Sequence, residues 1–496
     1  MRERTPAPRG AALALAGLVA AAGCVPTLAQ GPARAPRVAL PMRYGEGDEA
    51  GSAARRDWRE LFDDPNLARL IDEALENNQE LNIAVQEIII ANNEVTARRG
   101  EYLPSLGVRA GAGLDRVARD TSQGRSDEAN GLSPLLQNYS AGLYASWEVD
   151  IWSRLHDLAG AADARYLATR EGRNFLVTRL VAEIARRYYE LLALDRQRAT
   201  VEGNIALQAS ALQMVRLQQQ AAAVTMLGVR RFEAQLQGFR ANLIEVNQRI
   251  VNTENQLNLL LGRGPQPVPR RRDDFLQIEP PALRLGTPAE LLQNRPDVRQ
   301  AELELSAAAL DLRAARARFY PALQLEGGLG YQSFDLRSLV STPDATVFNL
   351  FAGLAAPLLN RRALTAAYAS ANARQMQSVL RYERAVVTAF TDVSTAVSLL
   401  RNLSQRYAFK TEQVARLAES VEVSTLLFNS SRADYLEVLT TRRDSLDAQR
   451  ELIELKLQQL DATVTLYQAL GGGWRARGDA PQQPNQASNA APGVTP

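Results

Sequence analysis

Side chains able to do covalent or metal chemistry are scarce in this sequence. Among the 496 residues, Cys24 is the only Cys and His156 is the only His. One Cys allows neither an internal disulfide framework nor a multi-Cys metal site, and one His excludes a multi-His metal site. His156 falls in a predicted helix, and we expect it to be a helix-surface residue. The sequence therefore predicts no metal site and no cofactor.

Catalytic motifs do not occur either. The sequence has no Gly-rich phosphate-binding loop and no nucleophile elbow, and its carboxylates have the spacing of a helix surface. The formal net charge is +2 and the pI is about 8.7. This balance indicates neither a nucleic-acid surface nor an acidic substrate. An enzyme is the weakest interpretation, and we predict no catalytic residue and no nucleic-acid partner.

Cys24 is placed for another reaction, the attachment of lipid. Residues 1–24 begin with three Arg and contain a short apolar core at 11–22, as an export signal does. That core is too short to span a bilayer, which needs roughly 20 residues. Residues 21–24, Ala-Ala-Gly-Cys, resemble a bacterial lipobox. Because Val25 is not the Asp that retains lipoproteins at the inner membrane, we expect an outer-membrane lipoprotein. Ordinary cleavage near Ala29 is the alternative.

One segment of the chain is written twice. Leu75 to Pro104 matches Leu292 to Pro321, 217 residues later. In both copies a polar turn opens an Ala-rich helix, an aromatic residue and Pro close it, and a Gly-rich alternating stretch follows. A period near 200 residues is too long for a solenoid repeat and indicates a duplicated domain. We predict two structural repeats, 57–262 and 287–474.

Each repeat contains two predicted strands. They cover about 104–115 and 139–150 in the first repeat, and 321–333 and 346–358 in the second. Apolar residues alternate with polar residues and Gly, as the strands of an outer-membrane barrel require, although a soluble amphipathic hairpin would also fit. Four strands cannot close a barrel, whereas three subunits would supply about twelve. Residues 116–137 are predicted to be a polar loop.

Each strand pair precedes two long predicted helices. They span 153–220 and 225–262 in the first repeat, and 361–428 and 434–471 in the second. The outgoing helices contain no Pro and would extend about 100 Å, and the return helix of the first repeat has a heptad seam. The return helix and the helix before the strands together match the outgoing helix in length. We therefore expect them to lie end to end, which makes each repeat a rod with a β-hairpin at one end.

The remaining segments connect these parts. Residues 25–56 are predicted to be an extended arm, 263–286 a Pro-rich linker between the repeats, and 475–496 a disordered tail.

Several short motifs occur in a characteristic order. They are Trp58, Phe62-Asp63-Asp64-Pro65-Asn66-Leu67, Ala74-Leu75-Glu76-Asn77-Asn78, Arg295-Pro296-Asp297-Val298-Arg299-Gln300-Ala301-Glu302, Tyr320-Pro321, Asp434-Tyr435-Leu436 and Tyr467-Gln468-Ala469-Leu470-Gly471-Gly472-Gly473-Trp474. Together they resemble the outer membrane factor family, the TolC-like proteins, and most closely its NodT-like lipoprotein branch of multidrug efflux channels.

The resemblance implies an α+β membrane protein of defined architecture. Three chains would form a homotrimer with a 12-stranded barrel in the outer membrane, continued into the periplasm by an α-helical coiled-coil tunnel of about 100 Å. The implied function is a passive exit duct for drugs or other small molecules. The implied partners are a periplasmic adaptor and an inner-membrane pump, commonly of the resistance-nodulation-division type, besides outer-membrane lipid. Two alternatives stay open: a type I exit duct for proteins, and a periplasmic coiled-coil scaffold.

The resemblance also implies a gate at the free tips of the helical hairpins. Its inward ring positions fall on Leu436, Thr440 and Arg443, although relatives often have Asp where this chain has Thr440. If Leu436 begins the packing stripe of its helix, Arg443 and Arg450 interrupt that stripe. We expect Arg443 either to be solvated on the helix surface or to form polar bonds between neighbouring hairpins.

Overall fold

The alternating and helical patterns of the sequence correspond to strands and long helices in the computed structural model. It describes residues 25–28, 31, 34–37, 52–221, 224–271, 275–357, 361–430, 432–433 and 435–475. The predicted export signal, Cys24 and residues 476–496 of the predicted tail lie outside these ranges.

The described helices and strands follow one another in this order: α1 (Trp58–Leu61), α2 (Pro65–Asn77), α3 (Gln79–Glu101), β1 (Ser105–Arg116), α4 (Ser122–Ala129), β2 (Leu135–Val149), α5 (Arg154–Gln220), α6 (Met226–Leu260), α7 (Pro288–Asn294), α8 (Pro296–Ala317), β3 (Ala322–Ser333), β4 (Thr346–Ala355), α9 (Arg362–Asn429) and α10 (Tyr435–Ala469). None of the helices in the described ranges combines the length and the hydrophobicity needed to cross a lipid bilayer.

The chain divides into two compact units. The first comprises Met1–Arg37, Gln86–Arg170 and Gln300–Glu383, and the second comprises Val38–Val85, Glu171–Arg299 and Arg384–Pro496. The first unit contains all four strands, and the second contains the ends of the long helices at which α5 turns into α6 and α9 turns into α10.

The four strands of the first unit form one antiparallel sheet in the order β1-β2-β3-β4. The two predicted hairpins are joined because β2 pairs with β3 along its length, with Leu143 opposite Leu329. Val108 of β1 and Phe348 of β4 continue the same row across the sheet. β1 and β4 are the edge strands.

Three predictions about the sheet and its connections need correction. The segment 116–137 is not only a loop, since it contains α4, whose start is capped by the Thr121 side chain accepting a hydrogen bond from the Gly124 N–H. β2 begins at Leu135, which pairs with Arg116, so the hairpin extends further than the apolar alternation indicated. β4 ends at Ala355 and not near the predicted 358. Pro357, two residues further on, cannot donate a hydrogen bond to a neighbouring strand.

The second unit is organised around α5. Tyr188, Leu191 and Leu194 are fully or almost fully buried in a cluster that includes Leu67 of α2 and Leu257 of α6. The Asp63-Asp64-Pro65 segment starts α2, because Asp64 accepts a hydrogen bond from the Asn66 N–H and Pro65 occupies the first turn. The linker is also fixed here, since Arg270, almost fully buried, contacts Asp195 and Glu254 at 2.5 Å each.

The second unit contains the same junction twice. Asn78, at the start of α3, donates a side-chain hydrogen bond to the carbonyl of Leu260 at the end of α6, at 2.8 Å. Arg295, at the start of α8, donates to the carbonyl of Ala469 at the end of α10, at 3.2 Å. Each return helix thus ends against the start of the helix that leads to a strand. This is the contact that the end-to-end arrangement requires.

Candidate functional site

One face of the sheet is apolar and uncovered. The register places eight large apolar residues from the four strands on this face, each between 49% and 86% exposed: Leu106, Val108, Leu114, Leu143, Leu329, Phe348, Leu350 and Leu354. A contiguous apolar surface of this kind on a folded chain marks contact with lipid or with another protein.

The opposite face of the sheet is mainly polar, although Val347 and Phe351 of β4 also lie on it. The Arg109 guanidinium lies 4.8 Å from the centre of the Tyr144 ring, and the Gln332 amide donates to the Asn138 side chain at 3.0 Å. β2 and β3 approach closely at Gly142, where a Cβ would lie 2.7 Å from the Gly330 Cα. The two faces therefore have the chemistry of a lipid-facing wall and an aqueous wall.

Aromatic side chains mark the junction between the sheet and the helices. The Trp147 indole donates to the Tyr102 carbonyl at 3.0 Å, and the Trp152 indole donates to the Pro321 carbonyl at 2.8 Å. The Trp152 and Tyr320 rings lie 4.8 Å apart. Trp and Tyr with a hydrogen-bonded polar end are typical of a membrane–water interface. Pro321 thus stands where the sequence predicts the change from helix to strand.

His156 is on the surface of α5, as expected. Its Nδ1 lies 2.7 Å from Asp150 Oδ2, and its ring stacks on Tyr102 at 4.3 Å. No group of three or more His, Cys, Asp or Glu side chains within the described ranges could hold a metal ion.

The predicted gate residues share one face near the start of α10. Leu436, Thr440 and Arg443 are four and three residues apart and are all exposed. The Arg443 guanidinium contacts the neighbouring Asp444 at 3.2 Å, and Arg450 lies 4.0 Å from Asp447. This geometry leaves the guanidinium of Arg443 accessible to a neighbouring hairpin.

The predicted packing stripe of this helix was wrong at its start. Leu436 is 48% exposed, whereas Val438, Leu439 and Ser445 are buried. Leu439, Ile453 and Leu460, further along the predicted stripe, are buried, and Leu439 packs with the cluster that includes Phe232 of α6. The exposed Arg443 and Arg450 therefore do not interrupt the packing.

Sequence reasoning missed Arg442. It contributes to two cavities of about 250 Å³ each between the helices of the second unit, beside Leu207. Burial lowers the pKa of the Arg442 guanidinium. Its position four residues after Val438 and three after Leu439, on the side of α10 that is buried, was the available signal.

These features define a class of protein, one that combines an amphipathic sheet suited to a membrane with pairs of long helices. The family of outer membrane efflux proteins matches residues 70–263 and 287–472. This chain therefore belongs to the outer membrane efflux protein family and is an outer-membrane protein, which confirms the resemblance seen in its motifs.

Individual relatives cover most of the chain. The pyoverdine export outer membrane protein OpmQ of Pseudomonas aeruginosa is 28% identical over 434 residues, which is 88% of this chain and 91% of OpmQ. The probable outer membrane lipoprotein SilC of Salmonella typhimurium is 28% identical over 93% of this chain and 98% of its own. The open state of the Neisseria gonorrhoeae MtrE outer membrane channel is similar in structure, with a TM-score of 0.78, 26% identity, and coverage of 89% and 97%.

Proposed function

We propose that this protein is the outer-membrane exit duct of a tripartite efflux system. It conducts small molecules passively, and an inner-membrane pump supplies the energy. The observation that carries this proposal is the sheet, whose four strands present one continuous apolar face and one mainly polar face. Family membership supports the same function.

The unpaired edges of the sheet support a homotrimer. In an antiparallel sheet of four strands, β1 and β4 run in opposite directions, so β4 of one copy can pair with β1 of the next. Three copies would close a barrel of about twelve strands and leave no edge exposed. Apolar residues at heptad spacing on two helices are also uncovered, Ile83 and Ile90 on α3 and Leu380 and Val387 on α9. Such stripes fit helices of neighbouring copies.

Lipidation of Cys24 completes the proposed attachment to the outer membrane. The lipobox-like residues support it, and one relative is named a probable outer membrane lipoprotein. A periplasmic adaptor and an inner-membrane pump of the resistance-nodulation-division type are the proposed partners. Leu436, Thr440 and Arg443 are the proposed gate, since they form an exposed row near the hairpin tip.

Membrane fractionation and conductance test this function together. We expect heat-sensitive trimers in the outer-membrane fraction, [³H]palmitate incorporation that Cys24→Ala abolishes, and ion-conducting channels in planar bilayers. Protein found only in the soluble periplasmic fraction, or trimers that never conduct, would contradict the proposal. Export of an unfolded protein substrate in place of small molecules would favour the type I alternative.

A further inference from the structure

A polar cavity of about 440 Å³ lies in the first unit, away from the sheet and the hairpin tips. It is lined by residues of α5, α8 and α9. α8 lies between the other two helices, since Asp311 of α8 pairs with Arg165 of α5 while Phe319, just after α8, packs against Tyr368 of α9 at 5.8 Å. The cavity is thus a depression that spans three neighbouring helices.

The lining has more positive than negative charge. Arg165, Arg374 and Arg381 face two carboxylates, Glu304 and Asp311. Asp311 forms an ion pair with Arg165, and Glu304 accepts a hydrogen bond from Gln300 at 3.3 Å. Among the residues that the structure describes, no carboxylate lies within ion-pair distance of Arg374 or Arg381. Both guanidiniums are exposed and keep their donors for a ligand.

The N-terminal arm shows which side of α9 this cavity occupies. The Asn372 side chain donates a hydrogen bond to the Gly31 carbonyl at 3.2 Å. The Glu383 carboxylate accepts hydrogen bonds from both terminal nitrogens of Arg34, at 2.6 and 2.9 Å. At 3.6 residues per turn, Arg374 is about half a turn from Asn372, and Arg381 about half a turn from Glu383. The arm and the cavity therefore lie on opposite sides of α9.

Lipidation of Cys24, as proposed, would keep the arm that leads back to it on the outer surface of the duct. The cavity, on the opposite side of α9, then faces the lumen. We propose that Arg374 and Arg381 form an anion-binding station in the wall of the duct, for solutes that carry carboxylate or phosphate-type groups. This inference rests on the proposed function as a duct. Guanidinium forks match the oxygens of such anions, and three copies bring about six of them to one level.

Reversal potentials in planar bilayers under a KCl gradient test the station, with chloride as the probe anion. At low salt, Arg374→Gln with Arg381→Gln should lower the chloride-to-potassium permeability ratio at least twofold. The parent's own preference should weaken toward 1 M KCl, where the Debye length is about 3 Å. Arg313→Gln is the matched control. It removes an Arg from the side of α8 opposite the cavity, where Arg313 pairs with Asp157.

The proposed anion-binding station is contradicted if the double variant keeps the parental permeability ratio. It is also contradicted if Arg313→Gln lowers the permeability ratio as much as the double variant does. If the double variant does not assemble, the single variants decide, and a parental ratio in both contradicts the inference. Arg374→Lys with Arg381→Lys should keep the ratio because the charge remains. A parent protein that gives no channels contradicts the proposed function itself, and so differs from failure of the station alone.

Discussion

At the scale of single residues, the polar contacts of Arg443 determine whether side-chain bonds between neighbouring hairpins hold the proposed gate closed. Its guanidinium is exposed and contacts only the adjacent Asp444 among the described residues, so it can bond to a neighbouring hairpin in a trimer. We predict that Arg443→Ala raises single-channel conductance severalfold, because fewer polar bonds hold the tips together.

Arg450 supplies the control for this prediction. It lies two turns further along α10, is equally exposed, and is not one of the proposed ring positions. Arg450→Ala should conduct like the parent protein. The proposed role of Arg443 in holding the gate closed is contradicted if Arg443→Ala conducts no better than the parent protein.

Asp461 is a half-buried acid that lowers the stability of the fold. Burial raises its pKa to about 6, with the nearby Glu190 and Glu183 adding to the rise, and its Oδ1 is buried without a hydrogen-bond partner. The unfolded chain has a lower pKa of about 3.9 at this position, so the folded state holds the proton more tightly. Asp461 therefore destabilises the fold increasingly as pH rises from about 4 through 6.

We predict that Asp461→Asn raises the free energy of unfolding by about 1–3 kcal/mol at pH 8 and changes it little at pH 4. Urea denaturation followed by helical circular dichroism at both pH values measures the difference. An equal gain at both pH values would mean that the acid's ionisation is not the cause.

At the scale of elements, the junction between α10 and α8 depends on Gly471. Its φ is +88°, which L side chains rarely adopt, and a Cβ would lie 2.6 Å from the Asn294 carbonyl oxygen. Gly471→Ala should cost about 1–3 kcal/mol through strain and this clash. Gly264→Ala is the matched control, since nothing lies within 4 Å of the Cβ there. Thermal melting of the purified protein compares them, and equal melting temperatures would refute the steric argument.

Much of the element pattern could be predicted from the sequence. The strands were visible because apolar residues alternate with period two, and the long helices because Pro is absent from them. α4 was missed because its sequence, Ser-Gln-Gly-Arg-Ser-Asp-Glu-Ala, has no apolar face, and only the Thr121 cap signals it. The pairing of β2 with β3 joins residues far apart in the chain, so local pattern could not reveal it.

The candidate site was predicted less completely. The residues of the apolar face follow from the alternation alone, but the proposed gate positions depended on the resemblance to a family. The packing stripe of α10 was wrong at Leu436, which is exposed while the neighbouring Val438 is buried, because apolar residues occur on more than one side of the helix there and tertiary contacts decide which side is buried. Arg374 and Arg381 carry no sequence signal at all, since their importance arises from α5 and α8 beside them.

At the scale of the whole molecule, the two faces of the sheet should respond differently to charge. Leu350 of β4 is 86% exposed on the apolar face, whereas the preceding residue, Asn349, lies on the opposite face of the sheet. Leu350→Arg should cost about 2–4 kcal/mol at the membrane midplane and deplete the protein from the outer membrane, whereas Asn349→Arg should be tolerated.

Quantifying heat-sensitive trimers in outer-membrane fractions checks this pair. Equal insertion of both variants would mean that the apolar face does not contact lipid. Depletion of Asn349→Arg alone would reverse the assignment of the two faces.

The unpaired edges of the sheet have a genetic consequence. If every barrel seam joins strands from two different chains, no chain can complete its wall alone, and a defective chain affects its neighbours. In a cell that makes equal amounts of normal and Leu350→Arg chains, random mixing leaves only about one ring in eight free of the variant. Such alleles should be dominant, and efflux should decrease far more than the halved dose of normal protein predicts.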